Sequence, residues 1–355
     1  MIKINKIESF VELGKFLSQF DSNGNKKNEN VLYNDEFYDA FIELIYRAQS
    51  LNGWFTPEQV YFAIQSWANA LTTDNLNKWL APYEITADTQ GNKTIGLILA
   101  GNIPLVGFHD FLSVLVTGNK ALIKLSSNDQ NLLPFLASYL IKINPEFQSK
   151  IEFVKGKLEG FDAVIATGSN NTARYFDFYF SKVPNIIRKN RNSVAILTGN
   201  ETKEDLIGLG EDIFRYFGLG CRNVSKLFVP ENYDFKLFFE AMYTYKDVIF
   251  YEKYANNYDY NKAVFLMSLY NLLDNEFMTL KEDESYGSPI SSVFYEYYSD
   301  LNTVFDKLNT DNEKIQCIVS KNLKNNHIPF GETQKPNLWD YADNVDTIEF
   351  LIKLQ

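Results

Sequence analysis

The chain has 355 residues, of which 45% are hydrophobic and 22% charged, so it has room for two domains with full cores. Its net charge of −11 and isoelectric point near 4.9 argue against non-specific nucleic-acid binding. We see no signal peptide and no apolar run near the roughly 20 residues of a membrane span, and therefore expect a cytoplasmic protein.

Residues 1–90 have the apolar spacing of amphipathic helices. Phe10, Leu13 and Leu17 fall on one helical face, and a further helix is predicted over 58–71. From residue 94 the pattern changes to strands that alternate with helices. The predicted strands are 94–100, 121–125, 151–154, 162–166 and 193–197, and the predicted helices are 107–117, 131–143 and 170–180. This alternation predicts a parallel sheet, which binds ligands at the carboxyl ends of its strands.

Polar residues gather at the predicted ends of three of these strands. They are Asn102, Lys124, Ser126, Ser127, Thr167, Gly168 and Ser169. Taken singly, each segment fits an ordinary structural role better: an Asn in a turn, a solvated strand end and a Thr/Ser helix cap. No G-x-G-x-x-G follows a strand, so an ordinary Rossmann dehydrogenase is not expected.

Cys221 follows a glycine pair after a helix that is predicted to begin at Thr202 and to stop at Gly218 and Gly220. A thiol on such a turn, beside backbone N–H donors, suits attack on a thioester or aldehyde and stabilisation of the oxyanion. On this segment alone, a small buried hydrophobe remains the alternative. The other cysteine, Cys317, lies in a predicted strand.

Two cysteines give no disulfide framework, and the two histidines, His109 and His327, are too far apart for a metal site. We therefore expect no metal. For His109 we expect a helix-surface or capping role.

Five segments, taken in chain order, resemble segments of the aldehyde dehydrogenase superfamily. Within that superfamily they are most similar to the acyl-CoA reductase family, whose best-known member is the fatty-acid reductase of bacterial bioluminescence. They are 101–105, 118–127, 166–169, 218–221 and 284–289. The tail segments 336–343 and 345–347 resemble the reductase family specifically. The resemblance runs from about residue 94 to the C-terminus.

The resemblance implies that Cys221 is the nucleophile and that the Asn102 amide binds the oxyanion. It also implies three segments that contact the cofactor: one at the adenosine ribose, one at the diphosphate and one at the nicotinamide ribose. In the same order, the residues of these segments are Lys124, Ser126 and Ser127; Thr167, Gly168 and Ser169; and Glu284 and Tyr286.

The implied fold is α/β and aldehyde dehydrogenase-like, with a parallel-sheet cofactor domain and an α/β catalytic domain. We predict the cofactor domain over 1–198, including the helical region 1–90, and the catalytic domain over 199–334. A tail of 335–355 follows, with a predicted strand at 347–351.

Two departures from the superfamily pattern bear on function. Oxidising relatives carry a water-activating Glu where this chain has 187–191, which contains no carboxylate. Ser127 stands where relatives that prefer NAD often have Glu, and a serine beside Lys124 would not repel a 2′-phosphate. Both departures favour an NADPH-dependent reductase.

The sequence therefore predicts NADPH-dependent reduction of acyl-CoA, long-chain by resemblance, to fatty aldehyde through a cysteinyl thioester. Acyl-CoA is the expected substrate, an acyl-donor protein an expected partner, and a homo-oligomer the expected assembly. Two alternatives remain open: reduction of another activated acyl group such as an acyl phosphate, and a non-catalytic nucleotide-binding subunit.

Overall fold

A computed structural model describes residues 4–86, 88–324 and 326–354, which form two compact units. The first unit runs to Lys189 and resumes at Asn337, and the second spans Asn190–Pro336. The boundary lies nine residues before our predicted boundary after residue 198, and the tail belongs to the first unit.

Four helices open the first unit, as the apolar spacing predicted. They are α1 (Lys6–Leu17), α2 (Asn34–Leu51), α3 (Pro57–Ala70) and α4 (Thr73–Leu80). Asn5, Thr56 and Thr72 cap α1, α3 and α4 through side-chain oxygens that accept backbone N–H bonds. The residues predicted on one face of α1 are fully buried in a core shared with the sheet that follows.

The first sheet contains five parallel strands in the order β3-β2-β1-β4-β5. Its elements are β1 (Thr94–Ile98), α5 (Phe108–Val116), β2 (Lys120–Lys124), α6 (Leu132–Ile143), β3 (Ile151–Phe153), β4 (Ala163–Thr167), α7 (Asn170–Tyr179) and β5 (Asn185–Arg188). The strand β5 was not predicted, because its four residues include only two apolar ones. The other strands and helices match their predicted positions within two residues.

The second unit is built on a six-stranded sheet in the order β11-β6-β7-β10-β9-β8, in which only the β8–β9 pairing is antiparallel. Its elements are β6 (Asn192–Ile196), α8 (Lys203–Phe214), β7 (Val224–Pro230), α9 (Lys236–Met242), α10 (Glu252–Met267), β8 (Leu272–Asp274), β9 (Thr279–Glu282), β10 (Ser292–Tyr298), α11 (Leu301–Thr310) and β11 (Ile315–Val319). Because β6 pairs with β7 and β11, the residues just before our predicted boundary belong to this unit.

The strand predicted at 347–351 is wrong: the segment forms a helix, α12 (Thr347–Ile352), which packs on α5 of the first unit. The Asp346 side chain caps it by accepting the Glu349 N–H, and Ile348 and Leu351, one helical turn apart, are fully buried. In the part of the chain that the structure describes, no helix is both long enough and apolar enough to span a membrane.

Candidate active site

The loops after β1 and β4 lie at the point where the first sheet changes direction. The chain moves from β1 to β2 and β3 on one side, and then returns to place β4 and β5 on the other side. In open parallel sheets, ligands bind in the crevice at such a switch point. Asn102 lies in the loop after β1, and Thr167 is the last residue of β4.

The turns after β1 and β2 pack directly against each other. A Cβ on Gly101 would lie 2.8 Å from Cβ and Oγ of Ser126, so only glycine permits this approach. The Ser126 Oγ accepts a 3.2 Å bond from the Asn128 N–H, which shapes the turn. The structure therefore brings Asn102, which is half-buried, into the same loop cluster as Ser126 and the exposed Ser127. Lys124 ends β2 at this edge and is partly exposed.

The segment Thr167–Ser169 joins β4 to the N-terminus of α7. The Ser169 Oγ caps the helix by accepting a 3.3 Å bond from the Thr172 N–H. A Cβ on Gly168 would lie only 3.0 Å from the Thr172 and Phe176 side chains, so the turn packs tightly on its own helix. A tight turn that leads into a helix N-terminus is suited to an anionic group such as a diphosphate.

Arg188 lies in the stretch 187–191, which contains no carboxylate. Its guanidinium is buried and forms bonds of 2.7 and 3.2 Å to the two carboxylate oxygens of Asp110 on α5. It also donates to Thr347 Oγ1 at 3.0 Å and to the Ala342 carbonyl at 2.8 Å, both in the tail. Its own carbonyl accepts a 3.2 Å bond from the Gly168 N–H. Arg188 thus joins α5, the tail and the Thr167–Ser169 turn.

His109 also serves the tail rather than the helix surface that we predicted. Its Nε2 lies 2.8 Å from the Leu338 carbonyl oxygen, and its ring packs against Trp79 and Tyr341. Burial lowers the pKa of His109. The residue is therefore part of the contact between α5 and the C-terminal tail.

The helix before Cys221 ends earlier than predicted. Thr202 and Asp205 form a capping box at the start of α8, as the sequence indicated, but α8 stops at Phe214. Tyr216 and Phe217 then adopt left-handed conformations, with φ of 53° and 57°. Such conformations are strained for bulky residues and occur mostly where the surrounding structure enforces them. The helix ends because Arg215 leaves the helical conformation, with φ of −55° and ψ of 138°, ahead of the left-handed pair and of the glycines.

The Asn223 side chain holds the Cys221 turn in place. Its amide nitrogen donates to the carbonyls of Asp212 and Arg215 at 3.0 and 2.7 Å, and its amide oxygen accepts the Gly220 N–H at 2.8 Å. The Ser193 hydroxyl on β6 donates a 2.9 Å bond to the Cys221 carbonyl. The turn is therefore fixed on both sides of the cysteine.

The two cysteines lie in different environments. Cys221 is partly exposed on this turn, whereas Cys317 is 4% exposed within β11, and neither forms a disulfide. Exposure on a turn fits a nucleophile, and burial in a strand fits a packing role.

A second support of the turn was missed in the sequence. The Asp212 carboxylate accepts bonds from the N–H groups of Gly331 and Thr333 at 2.7 and 3.0 Å and from the Thr333 hydroxyl at 2.8 Å. Arg222, next to Cys221, donates a 2.5 Å bond to the Thr333 carbonyl. Burial raises the pKa of Asp212 to about 6, although these donors oppose the shift. The sequence signal that could have indicated this support is an aspartate between Leu209 and Ile213 on the apolar face of α8.

The Glu284 turn is tied to the strand that follows the cysteine. The Ser225 hydroxyl on β7 donates a 2.7 Å bond to the Tyr286 carbonyl, and Glu284 itself is exposed. The Tyr286 ring, however, is buried in a hydrophobic cluster, and its hydroxyl donates to Asp311 at 2.8 Å. Burial and the Asp311 carboxylate raise the pKa of Tyr286. Its side chain therefore packs in the core of the unit, and we do not propose it as a cofactor contact.

The residues that the sequence predicts to bind or to react thus fall into two groups, one in each unit. The first unit places Asn102, Lys124 and the serines and threonine at the carboxyl edge of its sheet, and the second places Cys221 and Glu284 on turns beside β7. Within residues 4–86, 88–324 and 326–354, no three His, Cys, Asp or Glu side chains are grouped as metal ligands.

Comparison with known proteins identifies both the family and the fold. The model of the family "Acyl-CoA reductase (LuxC)" matches residues 10–236. A putative aldehyde dehydrogenase from Burkholderia cenocepacia is similar in structure, with a TM-score of 0.63 and 11% identity over 90% of this chain and 75% of that chain. Aldehyde dehydrogenase 21 from Physcomitrella patens, in complex with succinate, has a TM-score of 0.62 and 14% identity over 91% and 74%.

An indole-3-acetaldehyde dehydrogenase from P. syringae, in complex with NAD⁺ and IAA, has a TM-score of 0.63 and 12% identity over 90% of this chain and 72% of that chain. Comparison with curated protein sequences gave no match. The structural similarities confirm the predicted aldehyde dehydrogenase-like α/β fold. The family match covers well over half of the chain and confirms the predicted family, but it begins at residue 10, where we expected about residue 94, and it ends at residue 236. The chain belongs to the acyl-CoA reductase (LuxC) family and is an aldehyde-forming oxidoreductase.

Proposed function

We propose that this enzyme reduces long-chain acyl-CoA to fatty aldehyde, with NADPH as reductant, through a thioester on Cys221. The observation that carries the proposal is the Cys221 turn in a chain of this family. The thiol is partly exposed, while Asn223 and Ser193 fix the backbone on either side of it. A fixed, accessible thiol is what acyl transfer requires.

In the proposed reaction, the Cys221 thiolate attacks the carbonyl carbon of the acyl-CoA thioester. The Asn102 amide and the Cys221 backbone N–H donate to the oxyanion that forms. Collapse of this adduct breaks the bond to CoA, which leaves as a thiolate and takes up a proton. The dinucleotide supplies the hydride that reduces the acyl group. Cys221 then departs as a thiolate when the aldehyde forms, which returns the enzyme to its starting state.

The first unit has the features that a dinucleotide needs. Its sheet has a switch point between β1 and β4, and Gly101 and Gly168 permit close backbone approach at the strand ends. We propose that Thr167, Gly168 and Ser169 hold the diphosphate and that Lys124, Ser126 and Ser127 hold the adenosine ribose. Glu284 would accept bonds from the nicotinamide ribose. The NAD⁺ complex of the P. syringae dehydrogenase supports a nicotinamide dinucleotide. The NADPH preference rests on Lys124 beside an uncharged Ser127.

Hydrolysis of the thioester should be slow in this enzyme. The stretch 187–191 holds no carboxylate, and Arg188 within it is engaged by Asp110 and the tail. No group in this stretch can take a proton from an attacking water, so the thioester should persist until hydride is supplied. From the family resemblance alone we also propose an acyl-donor protein and a homo-oligomer, and we retain the cytoplasmic location expected from the sequence as a proposal.

Mass spectrometry after mixing the enzyme with acyl-CoAs of varied length, without reductant, tests the proposal. We expect an acyl adduct on Cys221 that forms fastest with long chains and persists, and that disappears as aldehyde when NADPH is added. Acyl phosphates serve as the competing donors. Faster acylation by an acyl phosphate, or rapid release of free fatty acid without NADPH, would contradict the proposed substrate or the proposed protection from water.

A further inference from the structure

The second unit contains a buried lysine that the proposed reaction does not use. Lys226 is the third residue of β7 and lies five positions after Cys221, and its side chain is fully buried. Burial lowers the pKa of Lys226, while the neighbouring Glu296 opposes the shift. A buried ammonium group carries a large desolvation cost, so its contacts indicate what the position is used for.

The charge of Glu296 alone does not require Lys226. Lys226 Nζ lies 3.0 Å from a Glu296 carboxylate oxygen, but Lys307 Nζ, which is partly exposed, lies 2.8 Å from both oxygens of the same carboxylate. The contact that distinguishes Lys226 is a hydrogen bond from its Nζ to the main-chain carbonyl of Asp283. This carbonyl belongs to the peptide bond that leads into Glu284.

Further contacts hold the same turn from both sides. Buried Lys281 pairs with the Asp283 carboxylate, which also accepts the Ser285 N–H at 2.8 Å. On the far side of Glu284, the Ser225 hydroxyl donates to the Tyr286 carbonyl at 2.7 Å. The backbone on each side of Glu284 is therefore attached to consecutive residues of β7, while the Glu284 side chain remains exposed.

We propose that Lys226 is a positioning residue: it fixes the Glu284 carboxylate relative to the strand that follows Cys221, and so sets the affinity for the dinucleotide. This inference rests on the proposed function, because it takes Glu284 as the ribose contact. Lys226 acts through the main chain of Asp283 and does not touch substrate or cofactor.

A double-mutant cycle on dinucleotide binding tests this role. The dissociation constant for NADPH is measured by fluorescence titration, without acyl-CoA, for Lys226→Met, Glu284→Ala and the double variant. We expect Glu284→Ala to weaken binding roughly tenfold or more, as when a charge-assisted hydrogen bond is lost. Lys226→Met should weaken binding several-fold, and should add nothing in the Glu284→Ala background, because it acts only through that carboxylate.

Two controls separate positioning from general destabilisation. Lys307→Met removes a partner of Glu296 without touching the turn, and should leave NADPH affinity unchanged. Acylation of Cys221 by acyl-CoA, followed by mass spectrometry, should proceed in Lys226→Met as in the wild type. If Lys226→Met does not fold, Lys226→Gln keeps a polar group at the position while shortening its reach to the Asp283 carbonyl.

Three outcomes would overturn the proposal. In the first outcome, Glu284→Ala weakens NADPH binding but a folded Lys226 variant binds NADPH as the wild type does. Lys226 would then be merely structural, and the ribose contact of Glu284 would stand. Equal weakening by Lys226→Met with and without Glu284 would show an action that does not pass through that carboxylate. Unchanged affinity in Glu284→Ala would instead remove the proposed ribose contact itself, and the positioning role with it.

Discussion

The side-chain caps of the turns proposed to bind the dinucleotide in the first unit and two of the bonds that hold the Cys221 turn in the second span very different sequence distances. Ser169 and Ser126 bond to backbone N–H groups three and two positions away. The Cys221 turn is instead held by Ser193, 28 positions from the cysteine, and by an Arg222 bond that reaches Thr333 over 111 positions.

This difference separates two ways of building the candidate active site. Local caps leave the polar groups of the first unit at a sheet edge, partly exposed and available to a ligand. Remote bonds fix the backbone around Cys221, so that a thiol on an irregular turn can hold one orientation. Substitutions in the first unit should therefore alter ligand affinity, whereas substitutions around the cysteine should alter both stability and acylation.

Loss of the thiol should have the largest effect. Cys221→Ala should abolish both acylation and aldehyde formation, because no other group in the proposed reaction can carry the acyl chain. Mass spectrometry of the acyl adduct and an aldehyde assay measure both steps. Cys317→Ala is the matched control and should retain both. Acylation that persists in the Cys221 variant would refute the mechanism.

Asn102→Ala tests the catalytic contribution of the first unit. Removal of one preorganised oxyanion donor typically lowers turnover on the order of 10²–10³-fold. We expect such a loss in turnover, with little change in the dissociation constant for NADPH. If only NADPH binding changes, Asn102 belongs to the cofactor contacts and not to the oxyanion site.

Asn223→Ala tests the side-chain support of the Cys221 turn. The substitution removes the amide that donates to the carbonyls of Asp212 and Arg215, so the free energy of unfolding should fall by about 3 kcal/mol. Acylation should slow in parallel. Asn185→Ala is the matched control, because exposed Asn185 also donates to two carbonyls, at 3.1 and 3.0 Å, and should cost less than about 1 kcal/mol. Denaturant unfolding measures both variants. If Asn223→Ala and Asn185→Ala lower the free energy of unfolding equally, the two units do not differ in the way proposed.

Ser127→Glu tests the cofactor preference. A charge-assisted bond from Lys124 to the 2′-phosphate is worth roughly ten- to a hundredfold in affinity. A carboxylate at position 127 should weaken NADPH binding by about this factor and leave NADH binding unchanged, because the repulsion acts mainly on the 2′-phosphate. Steady-state kinetics with both cofactors provide the measurement. A wild-type preference for NADH, or equal losses for both, would place the adenosine end elsewhere.

The smallest effect is expected at Ser169, where the cap and the proposed diphosphate contact can be separated. Ser169→Ala should lower the free energy of unfolding by about 1 kcal/mol through loss of the cap. Ser169→Asp keeps a capping oxygen but brings a negative charge to the diphosphate segment, so stability should return while dinucleotide affinity falls. If Ser169→Asp binds the dinucleotide as the wild type does, Ser169 is only a cap.

The sequence could predict the elements whose signals are local. The apolar face of α1, the Thr202 cap of α8 and the alternation of strands and helices all depend on neighbours within a few positions, and the structure has them as predicted. The side-chain caps of the turns after β2 and β4 are local in the same sense. Five short segments in chain order were enough to indicate the superfamily.

Tertiary structure decided what local pattern left open. The short apolar run at 347–351 suits either a strand or a helix, and it became α12 because Ile348 and Leu351 share the face buried in the first unit. The supports of Cys221 and Glu284, namely Asp212 with Thr333 and Lys226 with the Asp283 carbonyl, join residues 121 and 57 positions apart. The sequence determined which groups can do the chemistry; only the folded chain decided which buried polar groups hold them in place, because a buried donor is paired by whatever the fold brings beside it.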